Sequence, residues 1–115
     1  YYREQLAHVP GITCLPQGHQ TVANHSYFPI LVGPEYPLNR DALYEKLKEH
    51  GIYARRYFYP LISDFPMYRG LPSAKRAGLP VAASVADQVL CLPIYPVLAK
   101  MNIDRILTLL FESIL

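Results

Sequence analysis

The apolar positions of this chain come in short runs that proline and glycine cut off. Leu6 and Ala7 close a polar opening and Pro10-Gly11 stops it, so residues 1–8 read as the tail of a helix. A domain rarely begins inside an element, so the chain is expected to be a piece of something longer. Residues 12–15, Ile-Thr-Cys-Leu, read as a short strand, and 16–24 as a polar loop. Residues 26–32, Ser-Tyr-Phe-Pro-Ile-Leu-Val, are rich in strand formers; Pro29 offers no N–H, which predicts an edge strand or a bulge.

The strongest helix signal covers residues 40–50. Asn39 is the natural N-cap, Leu43 and Leu47 share a face, and Gly51 supplies a left-handed exit. Asp41 in the first turn and Lys48 in the last both complement the helix dipole. Residues 52–59 then read as a strand ended by Pro60. Residues 61–79 carry Pro66, Gly70, Pro72 and Gly78 and read as a loop with one helical turn near 64–68. Pro80 opens a helix on which Val81, Val85 and Val89 recur every fourth residue, and 89–94 form another strand. Asn102 caps the last helix. Its apolar stripe is Ile103, Ile106, Leu107, Leu110, Phe111 and Ile114, with Leu109 and Leu115 off it. The order β-β-α-β-(α)-α-β-α predicts an α/β chain of the α+β type. A small, mostly antiparallel sheet would carry helices mainly on one face, in a single domain over 1–115.

Composition narrows the class. With 115 residues, 51% hydrophobic and 17% charged, the chain excludes global disorder and can bury a core. No apolar run reaches the ~18 residues of a membrane span. The opening Tyr1-Tyr2-Arg3-Glu4-Gln5 lacks the apolar centre of a signal peptide. Cys14 and Cys91 are too few for a disulfide framework and fit a reducing compartment, so a cytoplasmic protein with no membrane partner is expected. A net charge of +2 is no polyanion-binding signature. Eleven prolines account for the short elements. Ten tyrosines and no tryptophan supply rings with polar tips, which either line a wet cleft or sit at the core's edge.

The chain has no phosphate loop, G-x-G-x-x-G, H-E-x-x-H or paired C-x-x-C motif. His8, His19, His25 and His50 have spacings that suit no metal site and read as surface or core-edge residues. Cys91, inside an apolar run, reads as a small hydrophobe. One segment stands out, Arg55-Arg56-Tyr57-Phe58-Tyr59-Pro60-Leu61. On a strand, Arg55, Tyr57 and Tyr59 would share one face and Arg56 and Phe58 the other. A cation beside two phenols suits an anionic or polyhydroxylated ligand. Equally, an edge strand could pair its arginines with surface carboxylates. The same residues could stack single-stranded nucleic acid, but the weak charge and the missing RNP-type glycines argue against that partner. A stand-alone regulatory domain that binds a small ligand through residues 55–59 is a further alternative.

Several of these segments together resemble the small C-terminal domain of PLP-dependent sugar-nucleotide aminotransferases, the DegT/StrS family. Asn24-His25-Ser26-Tyr27-Phe28-Pro29-Ile30 resembles the strand that opens that domain, and Arg40-Asp41-x-Leu43-Tyr44-x-x-Leu47 the helix after it. Residues 56–68, Arg-Tyr-Phe-Tyr-Pro-Leu-Ile-Ser-Asp-Phe-Pro-Met-Tyr, resemble the next strand and loop. Leu79-Pro80-Val81-Ala82, residues 86–95 and Ile103-Asp104-Arg105-Ile106 resemble the remaining landmarks, in order. The Tyr-Phe-Tyr-Pro-Leu form is closest to enzymes that aminate dTDP-linked 4-keto-6-deoxy sugars. Tyr57 and Ile62 stand where many members carry histidines, and Ala83 where a glutamate is common, so contacts made by those groups are absent.

The resemblance implies a longer enzyme, homodimeric, that moves an amino group from glutamate to a keto-sugar nucleotide. Its PLP would be held by a large N-terminal domain that this chain lacks, with residues 1–10 the remnant of a linking helix. Arg56, Tyr57, Tyr59 and Tyr68 are the candidate substrate-binding wall. None of Lys46, Lys48, Lys75 and Lys100 has the Ser-x-x-Lys setting of the family's cofactor lysine. The first two are expected on a helix's solvent side and the others in polar loops. The chain alone is therefore expected to bind no PLP, to contribute no catalytic residue and to be inactive.

Overall fold

The computed structural model describes residues 1–16, 18, 22 and 24–115. The expectation for His19 and part of that for the 16–24 loop lie outside them. Three strands, β1 (Ile12–Cys14), β2 (Phe28–Val32) and β3 (Val89–Leu92), form one sheet in the order β1-β2-β3. Both pairings are antiparallel, with Ile12 opposite Val32 and Ile30 opposite Leu90. Four helices join them: α1 (Tyr2–Leu6), α2 (Arg40–Glu49), α3 (Pro80–Gln88) and α4 (Lys100–Phe111). The expected small antiparallel sheet with helices mainly on one face is what forms. One core takes Tyr2 and Leu6 from α1, Leu43 and Leu47 from α2 and Ile106, Leu107 and Leu110 from α4. These meet Ile12, Ile30, Val32, Leu90 and Leu92 from a single sheet face. Full burial of each such side chain is worth about 1.5–3 kcal/mol. Among the described residues no helix is long and apolar enough to cross a membrane.

Pro29 lies in the central strand, not at an edge and not at a bulge. The ladder shows why this is tolerated. Its partner Cys91 spends both backbone groups on Arg55 on the other side, so Pro29 and Cys91 form a non-hydrogen-bonded pair. The position where an N–H would point lies beyond Cys14, where β1 has ended. The missing donor therefore costs no ladder bond.

Helix α2 forms as its sequence dictates. Asn39 Oδ1 accepts from the Ala42 N–H at 2.9 Å. At the other end the Gly51 N–H donates to Lys48 O at 2.9 Å and the Ile52 N–H to Leu47 O at 2.9 Å. With Gly51 at φ +74° this is a Schellman closure, and Ile52 and Leu47 add its apolar contact. Gly11 at φ +75° is required twice over, because a Cβ there would fall 2.1 Å from the Tyr36 nitrogen.

Other expectations are corrected. The strand expected over 52–59 shrinks to one bridge, Arg55 with Cys91. Phe58 takes a left-handed φ of +47°, which turns the chain off the sheet. The Tyr59–Pro60 peptide is cis. The helical turn expected near 64–68 is present, with the Arg69 N–H donating to Phe65 O at 2.9 Å, and a 3-10 turn at Ile62–Asp64 precedes it. Two more such turns, Pro72–Ala74 and Arg76–Gly78, follow. Val81 and Val85 do not form a buried stripe: Val81 is 75% exposed, and α3 buries Ala86 instead. Asn102 does not cap α4, which starts two residues earlier with Ala99 before it. Leu109 joins the core, while Ile114 lies past the helix end and is exposed.

Candidate functional site

The turn after the Arg55 bridge brings residues 56–60 against the first turn of α2. Asp41, placed by the Asn39 cap, accepts from Arg40 Nε at 2.8 Å and from Arg56 Nη1 at 3.1 Å. The Tyr59 ring contacts both guanidiniums, 4.6 Å from that of Arg40 and 4.7 Å from that of Arg56. Arg56 also covers Tyr44 at 4.6 Å. Each of these cation–ring contacts is inside the ~6 Å range in which a ring's quadrupole attracts a cation. The result is a ring packed on two guanidiniums that still keeps 46% of its area exposed.

Arg40 organises this corner. It is only 2% exposed, and its Nη1 donates to Ala86 O at 2.9 Å and Val89 O at 3.1 Å. Those carbonyls sit where α3 passes into β3, so one side chain joins α2, the α3–β3 junction and Tyr59. A cation in a helix's first turn opposes the dipole, and that mismatch was the one sequence signal that Arg40 has work elsewhere.

The four expected wall residues do not group as strand alternation required. The left-handed Phe58 separates Tyr57 from Tyr59. Tyr57 packs on Phe58 and on Tyr27, with ring centroids at 4.2 and 5.0 Å, whereas Tyr59 packs on Arg40 and Arg56. Arg56, expected on the opposite face from Tyr59, is its neighbour. Tyr68 lies on the turn after Phe65 and is half exposed. Among the described residues no ring pair or side-chain hydrogen bond ties it to the other three. The two arginines also divide. Arg56 pairs with a carboxylate, and Arg55 pairs with none among the described residues. Rings already packed on arginines and on each other leave no continuous platform for stacked bases.

The loop carrying Tyr68 is tied down by Arg76, which the sequence reading did not single out. Its guanidinium donates to Asp64 Oδ2 at 3.0 Å and to both carboxylate oxygens of Asp87 at 2.8 Å. Asp87's hydrogen bonds raise the Arg76 guanidinium above its ordinary value. No local spacing announces a bond across eleven residues.

Two of the four lysines, Lys46 and Lys100, lie elsewhere than expected, while Lys48 is on the exposed side of α2 and Lys75 in a loop. Lys46 is half buried and donates to Leu109 O at 3.0 Å and Ser113 Oγ at 2.8 Å, so it serves the end of α4 rather than facing solvent. Lys100 begins α4 and pairs with Asp104 at 3.0 Å. Lys48 pairs with Glu45 at 3.4 Å, and Lys75 is exposed. These settings do not fit a lysine that must reach a cofactor's carbonyl. Both cysteines are free, and burial pushes both thiols up, with Arg3 and Arg55 opposing the shift at Cys14 and Cys91 respectively. The described residues hold no cluster of three metal-ligating side chains.

Comparison with known proteins covers almost the whole chain. The model of the DegT/DnrJ/EryC1/StrS aminotransferase family matches residues 1–111. A dTDP-4-amino-4,6-dideoxy-D-glucose transaminase of Escherichia coli is 52% identical over 109 residues, 95% of this chain and 29% of the relative. A transaminase of the same description from Shigella dysenteriae is 39% identical over 112 residues and is covered to 30%. Among solved structures, S. venezuelae DesV in complex with a ketimine intermediate is similar with a TM-score of 0.80 and 31% identity. The match covers 96% of this chain and 28% of DesV. DesI with its TDP-sugar product gives a TM-score of 0.77 at 28% identity, over 97% of this chain and 28% of that one. The chain thus spans under a third of the length of the curated relatives it matches.

Proposed function

The chain belongs to the DegT/DnrJ/EryC1/StrS aminotransferase family, and on that premise we propose that it is the C-terminal small domain of a longer sugar-nucleotide aminotransferase. In the full enzyme an amino group would pass from glutamate to a dTDP-linked 4-keto-6-deoxy sugar. The similarity to the Escherichia coli transaminase carries this reading of the substrate class. The electron sink for the transfer is the pyridoxal phosphate that the remainder of the enzyme would bind. This chain's lysines do not fit that group, so no step is assigned to them. Two copies of the full enzyme would form a homodimer. The nucleotide-sugar substrate and the two free thiols support a cytoplasmic location.

The domain's share is one wall of the sugar cleft, built from Arg56, Tyr57, Tyr59 and Tyr68. Tyr59 packs on Arg40 and Arg56, and Tyr57 on Tyr27, so each phenol would be presented on a ring that its neighbours restrain. A preorganised hydroxyl loses little freedom when it binds a sugar hydroxyl or a phosphate oxygen. Tyr68 would reach the cleft from the loop that Arg76 holds. The test is glutamate-dependent amination of a dTDP-4-keto-6-deoxy sugar, followed by product mass, for the full-length protein and for the 115-residue chain. Turnover by the former alone is the expected result. No amination by the full-length protein, or amination by the short chain, contradicts the proposal.

A further inference from the structure

Residues 61–79 run from the Tyr59 turn to α3 with little packing to hold them. Ala74 is the segment's one buried residue, and Ile62, Met67 and Leu71 keep 64%, 68% and 50% of their areas exposed. Each backbone N–H bond of the segment closes on a carbonyl three or four residues earlier, so none of them reaches another element. Gly70 and Gly78 have nothing within 4 Å of where a Cβ would stand. Such a segment lies at the low-stability end of a fold, where opening costs far less than global unfolding.

Arg76 spans this segment in both directions. Its Nη1 donates to Asp64, twelve residues earlier, and its Nη2 to both carboxylate oxygens of Asp87, eleven residues later on α3. Nη2 also lies 3.4 Å from Ala83 O. Among the described residues no other side chain of 61–79 hydrogen-bonds to the rest of the chain. One planar cation therefore closes both halves of the span 64–87, which a single ammonium could not do. An isolated surface ion pair contributes little, but here three carboxylate oxygens share one guanidinium, and a segment this loosely packed needs little to shift its population. Asp87 first, then Asp64 and the Tyr59 phenol, hold that guanidinium above its ordinary value, so the clasp is within electrostatic reach of a second residue of the proposed wall.

We propose that Arg76 is a positioning residue for the sugar half-reaction: its clasp on Asp64 and Asp87 latches the segment 61–79, and with it Tyr68, in the arrangement that meets the sugar nucleotide. The inference rests on the reading of the chain as part of a sugar-nucleotide aminotransferase with Tyr68 on its wall. Arg76 acts through the segment, since its own donors are already spent on the two carboxylates. Loss of the clasp leaves the core intact and lets the segment open, so the substrate must pay for ordering it on binding.

The experiment uses the full-length enzyme with Arg76→Gln, Arg76→Lys, Asp87→Asn and the Arg76→Gln/Asp87→Asn double variant. Lys75→Gln, which removes an exposed neighbouring cation, controls for net charge. Hydrogen exchange read by mass spectrometry follows peptides from 61–79 and, as reference, from α4. In Arg76→Gln the segment should exchange about fivefold faster, the upper end for exposed ion pairs, with α4 unchanged. The KM for a dTDP-4-keto-6-deoxy sugar should rise about two- to fivefold, with kcat and the glutamate half-reaction within about twofold of the parent. Arg76→Lys should recover part of both effects, and Asp87→Asn should add nothing in the Arg76→Gln background. Parent-like exchange or sugar KM in Arg76→Gln overturns the inference. So does equal loss in both half-reactions, faster exchange in α4 as well, or the same effects in Lys75→Gln. Amination with unchanged segment exchange in Arg76→Gln would remove the clasp alone. No amination by the unsubstituted full-length protein would remove the parent reading, while the exchange measurement would still decide the clasp.

Discussion

Replacing Arg40 by methionine keeps most of the side chain's length and removes its charge. Two carbonyls, Ala86 O and Val89 O, then lose charge-assisted donors, in a place where the side chain is 2% exposed. Each such bond is worth about 1.5–3 kcal/mol. The ion pair to Asp41 adds little, about 0–1 kcal/mol, because that carboxylate is 54% exposed. The contact with the Tyr59 ring contributes about 0.5–2 kcal/mol. Against these stands relief from burying a cation, which costs several kcal/mol in its own right. The net expectation is a loss of about 2–4 kcal/mol. For a domain of this size that corresponds to a fall in Tm of roughly 8–16 °C. Arg40→Lys should recover only part of it, because one ammonium on a flexible stem cannot reproduce the planar fork. Urea unfolding by circular dichroism, compared at equal m-value, measures the difference. A loss below ~1 kcal/mol for Arg40→Met would refute the role assigned to this side chain, because it would mean that water or a shifted backbone satisfies both carbonyls at no cost.

Two further predictions concern the scaffold. Gly11→Ala should destabilise by about 2–4 kcal/mol, from the left-handed φ and a backbone that must yield to the new Cβ. Gly51→Ala, with nothing within 4 Å, should cost only the φ penalty of about 1–2 kcal/mol; equal losses at both sites in urea unfolding would contradict the close approach at Gly11. Hydrogen bonds from the Tyr1 hydroxyl and Lys100 hold the Asp104 carboxyl below its usual 3.8, so the unfolded chain takes up that proton more readily than the folded one. Its stabilisation is therefore complete above the usual carboxylate value and fades as pH falls through the depressed one. Urea midpoints of Asp104→Asn and parent should converge at acid pH, and a constant gap at all pH values would contradict the linkage.

What the sequence disclosed was what short-range chemistry controls. The Asn39 cap, the Gly51 exit and the Leu43–Leu47 face each depend on residues within one or two turns, and each is present in the structure. What it concealed depends on distant partners. Pro29 reads as an edge residue until Cys91 is known to spend its backbone bonds on Arg55. Lys46 reads as solvated until α4 brings Leu109 O to it. At the candidate site, the composition of residues 55–60 drew notice, but alternation assigned the wrong neighbours. Nothing local marks Phe58 as the residue that takes positive φ, and that single reversal moves Tyr59 from Tyr57's side to the arginine pair. Arg40, which holds the corner together, acts on carbonyls 46 and 49 residues away.

The most direct measurement of the proposed function is the kinetics of the two half-reactions in the full-length enzyme carrying Tyr57→Phe or Tyr59→Phe. Each variant keeps the ring and its packing and removes only the hydroxyl. The sugar half-reaction should lose roughly 2- to 150-fold in kcat/KM, the equivalent of about 0.5–3 kcal/mol for one hydrogen bond to a neutral or charged partner. The glutamate half-reaction should change by less, because that donor does not extend to the nucleotide-sugar wall. Unchanged sugar kinetics in both variants, with the glutamate half-reaction equally unaffected, would contradict the account and leave these tyrosines as packing at the domain's edge.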